Sequence, residues 1–228
     1  MDNRGINYEL AGKKLSLYLS HEAGRPLIVL NNFADDGGEI VRCMAEINCP
    51  DCNLLSIGNL NWEEDMTPWS APALMKNEPP FTGKADEYLN ILVDEIIPDT
   101  EKRIKGRPEY IGIAGYSLAG LFALYSIYKC QRFGRVASMS GSLWFPDFKD
   151  YVLSNKMQIF PKKIYLSLGD KESKTKNPLL KTVGDSTEEI YKHFLGQGLD
   201  VCYEINQGNH FKDAPMRTAK GIAEIVGD

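Results

Sequence analysis

Ser117 has the sequence context of an activated nucleophile. It lies in the hexapeptide Gly115-Tyr116-Ser117-Leu118-Ala119-Gly120, directly after an apolar run and before an apolar helical stretch. A nucleophile elbow needs this order of strand, turn and helix, with small residues two positions before and two positions after the serine. Gly115 and Ala119 occupy those positions, and Gly120 can share the packing role. The alternative is a serine that only caps a helix, since serine is favoured at that position.

His210 is the histidine best placed to remove the serine proton. It lies in the segment 206–211, a glycine-containing loop that follows the last predicted strand. The other two histidines are less well placed, because His21 precedes the first core strand and His193 falls within an amphipathic helix. The order serine, acid, histidine along the chain is the order in which this type of hydrolase fold supplies its triad. His210 is therefore the predicted general base.

The acid that orients the histidine is expected in the loop that follows the predicted strand 164–168. That loop carries two carboxylates, Asp170 and Glu172. Either could hold the imidazole and stabilise its protonated form. The longer side chain of Glu172, further along the loop, favours it, and both residues stay open at this point.

Ester attack creates an oxyanion that needs fixed N–H donors. The residue after the nucleophile, Leu118, supplies one backbone N–H in this type of site, and the loop after an earlier strand supplies the other. That loop begins with Asn31-Asn32-Phe33, so the amide of Asn32 or Phe33 is the second candidate. The alternative is an ordinary strand-to-helix turn rich in asparagine.

Short apolar runs alternate with amphipathic stretches from about residue 26 to the end. This rhythm predicts an α/β fold with a mostly parallel sheet and helices on both faces, in one domain over residues 1–228. The predicted strands are 27–30, 54–57, 110–114, 136–139, 164–168 and 201–205. The predicted helices are 37–47, 86–105, 118–129, 187–195 and 215–225. Residues 8–19 add a candidate antiparallel hairpin, and Pro98 predicts a bend or break in its helix.

Residues 58–83 interrupt the alternation with prolines and tryptophans and with no clean period. Long irregular segments in compact domains often serve function. Trp62, Trp69 and Phe81 are candidates for covering a substrate pocket, and packing on the core is the alternative.

Composition excludes several other classes. The net charge of −5 and the absence of a basic face argue against nucleic-acid binding. No apolar run approaches the roughly 18 residues of a membrane span. Five unevenly spaced cysteines fit a reducing compartment, so we expect a cytoplasmic protein.

Four motifs together resemble the putative-esterase branch of the α/β-hydrolases, which includes siderophore esterases, feruloyl esterases, esterase D and mycolyl transferases. They lie around Ser117, at 140–144 (SGSLW), at 168–172 (LGDKE) and at 208–211 (GNHF). The resemblance covers about residues 26–226. It further implies that Asp65 belongs to a pocket wall and that Trp144 lies beside the acyl site.

The expected function is hydrolysis of a small or medium carboxylic ester through an acyl-serine. The resemblance implies no metal and no organic cofactor. Acyl transfer with the same residues and a non-catalytic binding protein of the same fold are the alternatives. The partner is a small-molecule ester, and the sequence leaves the oligomeric state open.

Overall fold

The structure is a computed structural model that describes residues 5–33 and 36–227. Within them, eight strands form one sheet in the order β1-β2-β4-β3-β5-β6-β7-β8. The strands are β1 Ile6–Leu10, β2 Lys13–Tyr18, β3 Leu27–Asn31, β4 Asn53–Gly58, β5 Ile111–Tyr116, β6 Arg135–Met139, β7 Lys163–Gly169 and β8 Val201–Asn206. The hairpin β1-β2 pairs antiparallel to β4, and the pairs from β4 to β8 are parallel. The predicted mostly parallel sheet and the hairpin are confirmed.

The helices are α1 Gly38–Glu46, α2 Trp62–Asp65, α3 Ala85–Ile91, α4 Ile97–Glu101, α5 Leu118–Lys129, α6 Phe148–Ser154, α7 Val183–Gly196 and α8 Ala214–Val226. Helix α6 was not predicted from the sequence, because its two short turns carry too few apolar residues to show a period. The prediction for α7 began at residue 187, four residues late. Helix α7 begins earlier than predicted because its first turn follows directly from the 3₁₀ turn Leu180–Thr182.

The predicted helix 86–105 is divided by a π-helical turn. Residues Leu92–Ile96 connect α3 to α4, and the Ile97 N–H donates to the Leu92 carbonyl five residues back. Pro98 follows at the first turn of α4, where its missing N–H costs least. The predicted irregularity at Pro98 is thus accommodated by a widened turn, and the helix ends at Glu101 rather than at residue 105.

The sheet is buried on both faces. Along β3, Leu27 and Val29 face one hydrophobic cluster, and Ile28 and Leu30 face the other. Helices α1 and α8 cover the second face, and α3, α5, α6 and α7 cover the first. This explains the continuous apolar run in β3, because a strand covered by helices on both sides needs apolar residues at every position.

All six parallel strands, β3 to β8, end at one edge of the sheet, where the loops after β3, β5, β7 and β8 meet. Ligand sites of open α/β sheets form outside the carboxyl ends of the strands. The fold thus brings the loops that carry the candidate residues to one place.

Among the described residues, no helix has the length and apolar character needed to cross a membrane.

Candidate active site

Ser117 sits on a sharp turn between β5 and α5. Its backbone has φ 60° and ψ −124°, a conformation that L residues rarely adopt. The turn is possible because the flanking positions are small. A Cβ atom on Gly115 would lie 2.2 Å from the Ala119 carbonyl oxygen.

Gly120 shares the packing role, as the sequence suggested. A Cβ on it would lie 2.8 Å from Ser138 Oγ and 3.0 Å from the Gly141 Cα. The Ala119 methyl is itself fully buried. Close approaches therefore occur both at Ala119, which faces Gly115, and at Gly120, one residue later.

Ser117, His210 and Glu172 form a continuous hydrogen-bonded chain. Ser117 Oγ lies 3.1 Å from His210 Nε2, and His210 Nδ1 lies 2.7 Å from Glu172 Oε2. The three residues come from the loops after β5, β8 and β7. The imidazole is partly exposed, whereas the carboxylate is nearly buried. This arrangement can move a proton from the serine to the histidine and stabilise the charge that results.

Glu172 is held in its charged form by several donors. Burial alone raises the pKa of this carboxyl, but hydrogen bonds from His210, Ser140 and the Gly169 N–H lower the pKa below its ordinary value. Ser140 Oγ donates to Oε1 at 2.7 Å, and the Gly169 N–H donates to the same oxygen at 2.6 Å. A carboxylate with its lone pairs occupied in this way has a fixed orientation.

Asp170 has a different partner from Glu172. Its Oδ1 accepts a hydrogen bond from the Gly208 N–H at 2.6 Å, and that bond lowers the pKa of the carboxyl. Gly208 has φ 116°, which favours glycine. Asp170 therefore stabilises the loop that carries His210, whereas Glu172 is the acid that contacts the imidazole.

Arg217 of α8 lies beneath the candidate triad. It is 2% exposed. Its Nη1 donates to Glu172 Oε1, Ser140 Oγ and the Tyr116 hydroxyl, each at 3.3 Å. Its Nη2 donates to the Gln207 carbonyl at 3.0 Å. The buried guanidinium thus pairs with the buried carboxylate and ties together four loops of the site.

Ser142 gives the nucleophile a second polar neighbour. Its Oγ lies 3.3 Å from Ser117 Oγ, and its N–H donates to the Ser117 carbonyl at 3.0 Å. Ser142 is 2% exposed. The segment after β6 therefore fixes both the backbone and the side chain of Ser117.

The two amides proposed for the loop after β3 are not equivalent. The Asn32 N–H donates to the Ile57 carbonyl at 2.9 Å, as a continuation of the β3-β4 pairing. This bond removes Asn32 as a backbone oxyanion donor, which corrects the expectation for that residue. The N–H groups of Phe33 and Leu118 have no hydrogen-bond partner within 5–33 and 36–227, so both are available to a ligand.

A cavity of about 480 Å³ opens beside Ser117 and His210. Asn32, Phe33 and Trp62 line one side of it. The Phe33 ring packs edge-on against Trp62, with ring centroids 5.0 Å apart. The prediction that Trp62 covers a pocket is consistent with this placement.

Three other residues predicted to line the pocket lie elsewhere. Asp65 is buried, pairs with Lys13 Nζ at 2.5 Å and accepts from the Asn61 N–H, so its carboxylate anchors α2 to β2. Trp69 donates from Nε1 to the Pro146 carbonyl and packs among the aromatic rings of α5 and α6. Trp144 is 9% exposed and packs on Phe81. None of the three lines the cavity at Ser117, because each has a core partner of its own. Phe81, which was predicted to cover the pocket, does not line this cavity either and packs on Trp144 and Phe145.

Comparison with known proteins places this site in a family. The family model described as putative esterase matches residues 56–210, which hold all three members of the hydrogen-bonded chain. The chain belongs to this family of ester hydrolases. A curated relative, the uncharacterized protein YbbA of Bacillus subtilis (strain 168), is 22% identical over 220 residues, covering 88% of this chain and 86% of YbbA.

Solved structures share the fold of this esterase. An IroE-like serine hydrolase from Shewanella oneidensis superposes with a TM-score of 0.76 at 18% identity, over 96% of this chain and 78% of that one. The siderophore hydrolase EstA from Aspergillus nidulans gives a TM-score of 0.72 at 16% identity, over 98% and 94% of the two chains. The fold is that of an α/β-hydrolase.

Two residues that contact the hydrogen-bonded chain of this esterase, Arg217 and Ser142, were not predicted from the sequence. Arg217 carried a readable signal, because it shares the spacing of four with Gly221 and Ile225 on the buried face of α8. A charged residue in such a stripe needs a buried partner. Ser142 carried no comparable signal, since nothing in the segment 140–144 tells which serine faces the nucleophile.

Proposed function

We propose that this esterase is a serine carboxylic-ester hydrolase that works through an acyl-serine intermediate. One observation carries the proposal, namely the unbroken chain from Ser117 Oγ to His210 Nε2 at 3.1 Å and from His210 Nδ1 to Glu172 at 2.7 Å. A serine that only caps its helix needs no such chain. Ser117 makes no side-chain capping bond to α5.

In the first step, Ser117 Oγ attacks the ester carbonyl carbon as His210 Nε2 takes the hydroxyl proton. The oxyanion accepts hydrogen bonds from the backbone N–H groups of Leu118 and Phe33. His210 then returns the proton to the alkoxide oxygen as the carbon–oxygen bond breaks, and the alcohol leaves. Water repeats the sequence on the acyl-serine and releases the acid. Glu172 holds the imidazole and stabilises its cation without taking the proton.

The substrate is a small or medium ester. A cavity of about 480 Å³ falls within the range of small-molecule sites. The siderophore hydrolase among the related structures makes siderophore-type esters candidates, beside simple acyl and aryl esters. Phe33 and Phe211 are both strongly exposed at this cavity, so an apolar part of the substrate can replace water on their rings.

A panel of p-nitrophenyl esters of increasing acyl length tests the proposal. We expect turnover by the native protein and a loss of at least about 10³-fold in kcat/KM for Ser117→Ala, because the nucleophile is gone. Ser154→Ala, at the exposed end of α6, is the matched serine control and should retain full activity. Equal hydrolysis by Ser117→Ala and the native protein would refute the acyl-serine route.

The free state of all five cysteines supports a cytoplasmic location, where thiols stay reduced. Fractionation of the source cells with an antibody to the protein tests this, and recovery outside the cytoplasm would contradict it.

A further inference from the structure

The cavity beside Ser117 carries negative charge. Glu39, in the first turn of α1, and Glu63, in α2, both line it. Among the lining residues that the structure describes, none is lysine or arginine. The buried Arg217 does not compensate, because it is paired with Glu172. A ligand in this cavity therefore meets the negative charge of these two carboxylates.

Neither carboxylate has a structural partner among the residues that the structure describes. Within 5–33 and 36–227, the side chains of Glu39 and Glu63 make no hydrogen bond and no ion pair, although other acidic residues nearby do. Asp65 pairs with Lys13, and Glu64 pairs with Lys84. Both unpaired carboxylates lie in the first turn of a helix, Glu39 in α1 and Glu63 in α2, where a negative charge is favourable. Two unpaired carboxylates facing one cavity are free to interact with a ligand.

One buried donor in a residue of the same cavity also lacks a hydrogen-bond partner among the described residues. Asn31 is 1% exposed and lines the cavity, and its Oδ1 accepts from the Tyr88 hydroxyl. Its Nδ2 is buried with no hydrogen-bond partner, and such a donor is costly to leave unsatisfied. The rings of Trp62 and Phe33 lie next to Glu63 along the wall. Aromatic faces attract organic cations, above all quaternary ammonium groups.

We infer that this cavity selects esters that carry a positive charge, such as a quaternary ammonium group, over neutral or anionic esters of the same shape. The inference rests on the proposed function, since it names the substrate class for the same serine. The carboxylates of Glu39 and Glu63 attract the cation, and the rings of Trp62 and Phe33 contact its methyl groups.

Two pairs of isosteric esters test the inference. The first differs in the acyl part: p-nitrophenyl 4-(trimethylammonio)butyrate against p-nitrophenyl 5,5-dimethylhexanoate. The second differs in the leaving group: butyrylthiocholine against 3,3-dimethylbutyl thiobutyrate. We expect the native protein to prefer the cationic member of at least one pair by on the order of fivefold or more in kcat/KM at low salt, because one carboxylate near a cation gives about that factor. The preference should shrink as salt is added.

The variants Glu39→Gln and Glu63→Gln should each lower that preference, and the double variant should bring the ratio close to one. Glu46→Gln is the matched control, because it removes the same charge from the exposed end of α1, outside the cavity. It should keep the native ratio. A loss of preference in Glu46→Gln equal to that in Glu39→Gln would overturn the inference.

The outcomes separate the inference from the function on which it rests. Hydrolysis of all four esters with ratios near one would refute the charge selection and leave the esterase standing. Faster turnover of an anionic ester, p-nitrophenyl hemiglutarate, than of the neutral p-nitrophenyl ester would also refute it. If none of the esters is hydrolysed and Ser117 takes up no acyl group, the proposed function fails and the inference fails with it.

Discussion

Glu172 and Asp170 stand two residues apart in one loop, and the sequence could not separate them. Their side chains diverge because β7 ends at Gly169 and the chain turns there, with the Glu172 N–H bonded to the Gly169 carbonyl. This turn directs Glu172 to the imidazole and Asp170 to the Gly208 N–H. Reach along the loop favoured Glu172, and the turn geometry explains why this residue contacts the imidazole.

Replacing each carboxylate by its amide separates the two roles. Glu172→Gln should lower kcat by about 10²–10⁴-fold, because the amide neither selects the productive tautomer nor stabilises the imidazolium. Asp170→Asn should lower kcat less than about tenfold, since the loop retains the other bonds around Gly208. Initial rates with p-nitrophenyl butyrate measure both. A larger loss in Asp170→Asn would contradict the assignment.

At the residue scale, the oxyanion donors could be predicted only in part from the sequence. The sequence predicted a donor in the loop after β3, with Asn32 and Phe33 as equal candidates. The Asn32 N–H is already bonded, because the pairing with β4 extends one residue beyond β3 and Asn32 donates to the Ile57 carbonyl. Such an extension depends on the twist and register of the neighbouring strand, which composition does not encode.

At the scale of elements, the elbow was the most predictable part of the molecule. Its requirements are local, since a strand, a tight turn and a helix come from one continuous segment. The positive φ of Ser117 and the close contact of Gly115 with Ala119 follow from the pattern of small residues. The pocket wall was less predictable, because Asp65, Trp69 and Trp144 find their partners far along the chain, in Lys13, Pro146 and Phe81.

Two substitutions in the elbow test this account. Gly115→Ala should destabilise the protein by roughly 3 kcal/mol or more, at the upper end of overpacking effects, because the new methyl would meet the Ala119 carbonyl at 2.2 Å. The displaced turn should also lower kcat/KM. Ala119→Gly, the matched change in the opposite direction, should cost about 1 kcal/mol or less and preserve activity. Urea unfolding and ester hydrolysis measure both, and a native-like Gly115→Ala protein would contradict the tight packing.

At the scale of the whole molecule, the alternation of apolar runs and amphipathic stretches gave the parallel sheet with helices on both faces. The same alternation could not predict the π-helical turn before Pro98 or the short helix α6, because each depends on tertiary packing rather than on a period. The single domain over residues 1–228 remains a prediction. Arg217 acts at this scale, since its contacts join the ends of β5, β6, β7 and β8 through one side chain.

Arg217→Met should lower the free energy of unfolding by about 3–5 kcal/mol, because it leaves the Glu172 carboxylate buried without its cation. The methionine keeps much of the apolar stem volume, so packing changes little. Lys220→Met, one turn further along α8 at an exposed pair with Glu204, is the control and should cost about 1 kcal/mol or less. Equal midpoints of urea unfolding for the two variants would contradict the role given to Arg217.

The central claim is that His210 activates Ser117, and intact mass after treatment with a fluorophosphonate probe tests it most directly. The native protein should gain the mass of one probe group, and Ser117→Ala and His210→Ala should gain none under the same conditions. Circular dichroism of each variant checks that it is folded. No adduct on the folded native protein, or an undiminished adduct on Ser117→Ala, would contradict the account.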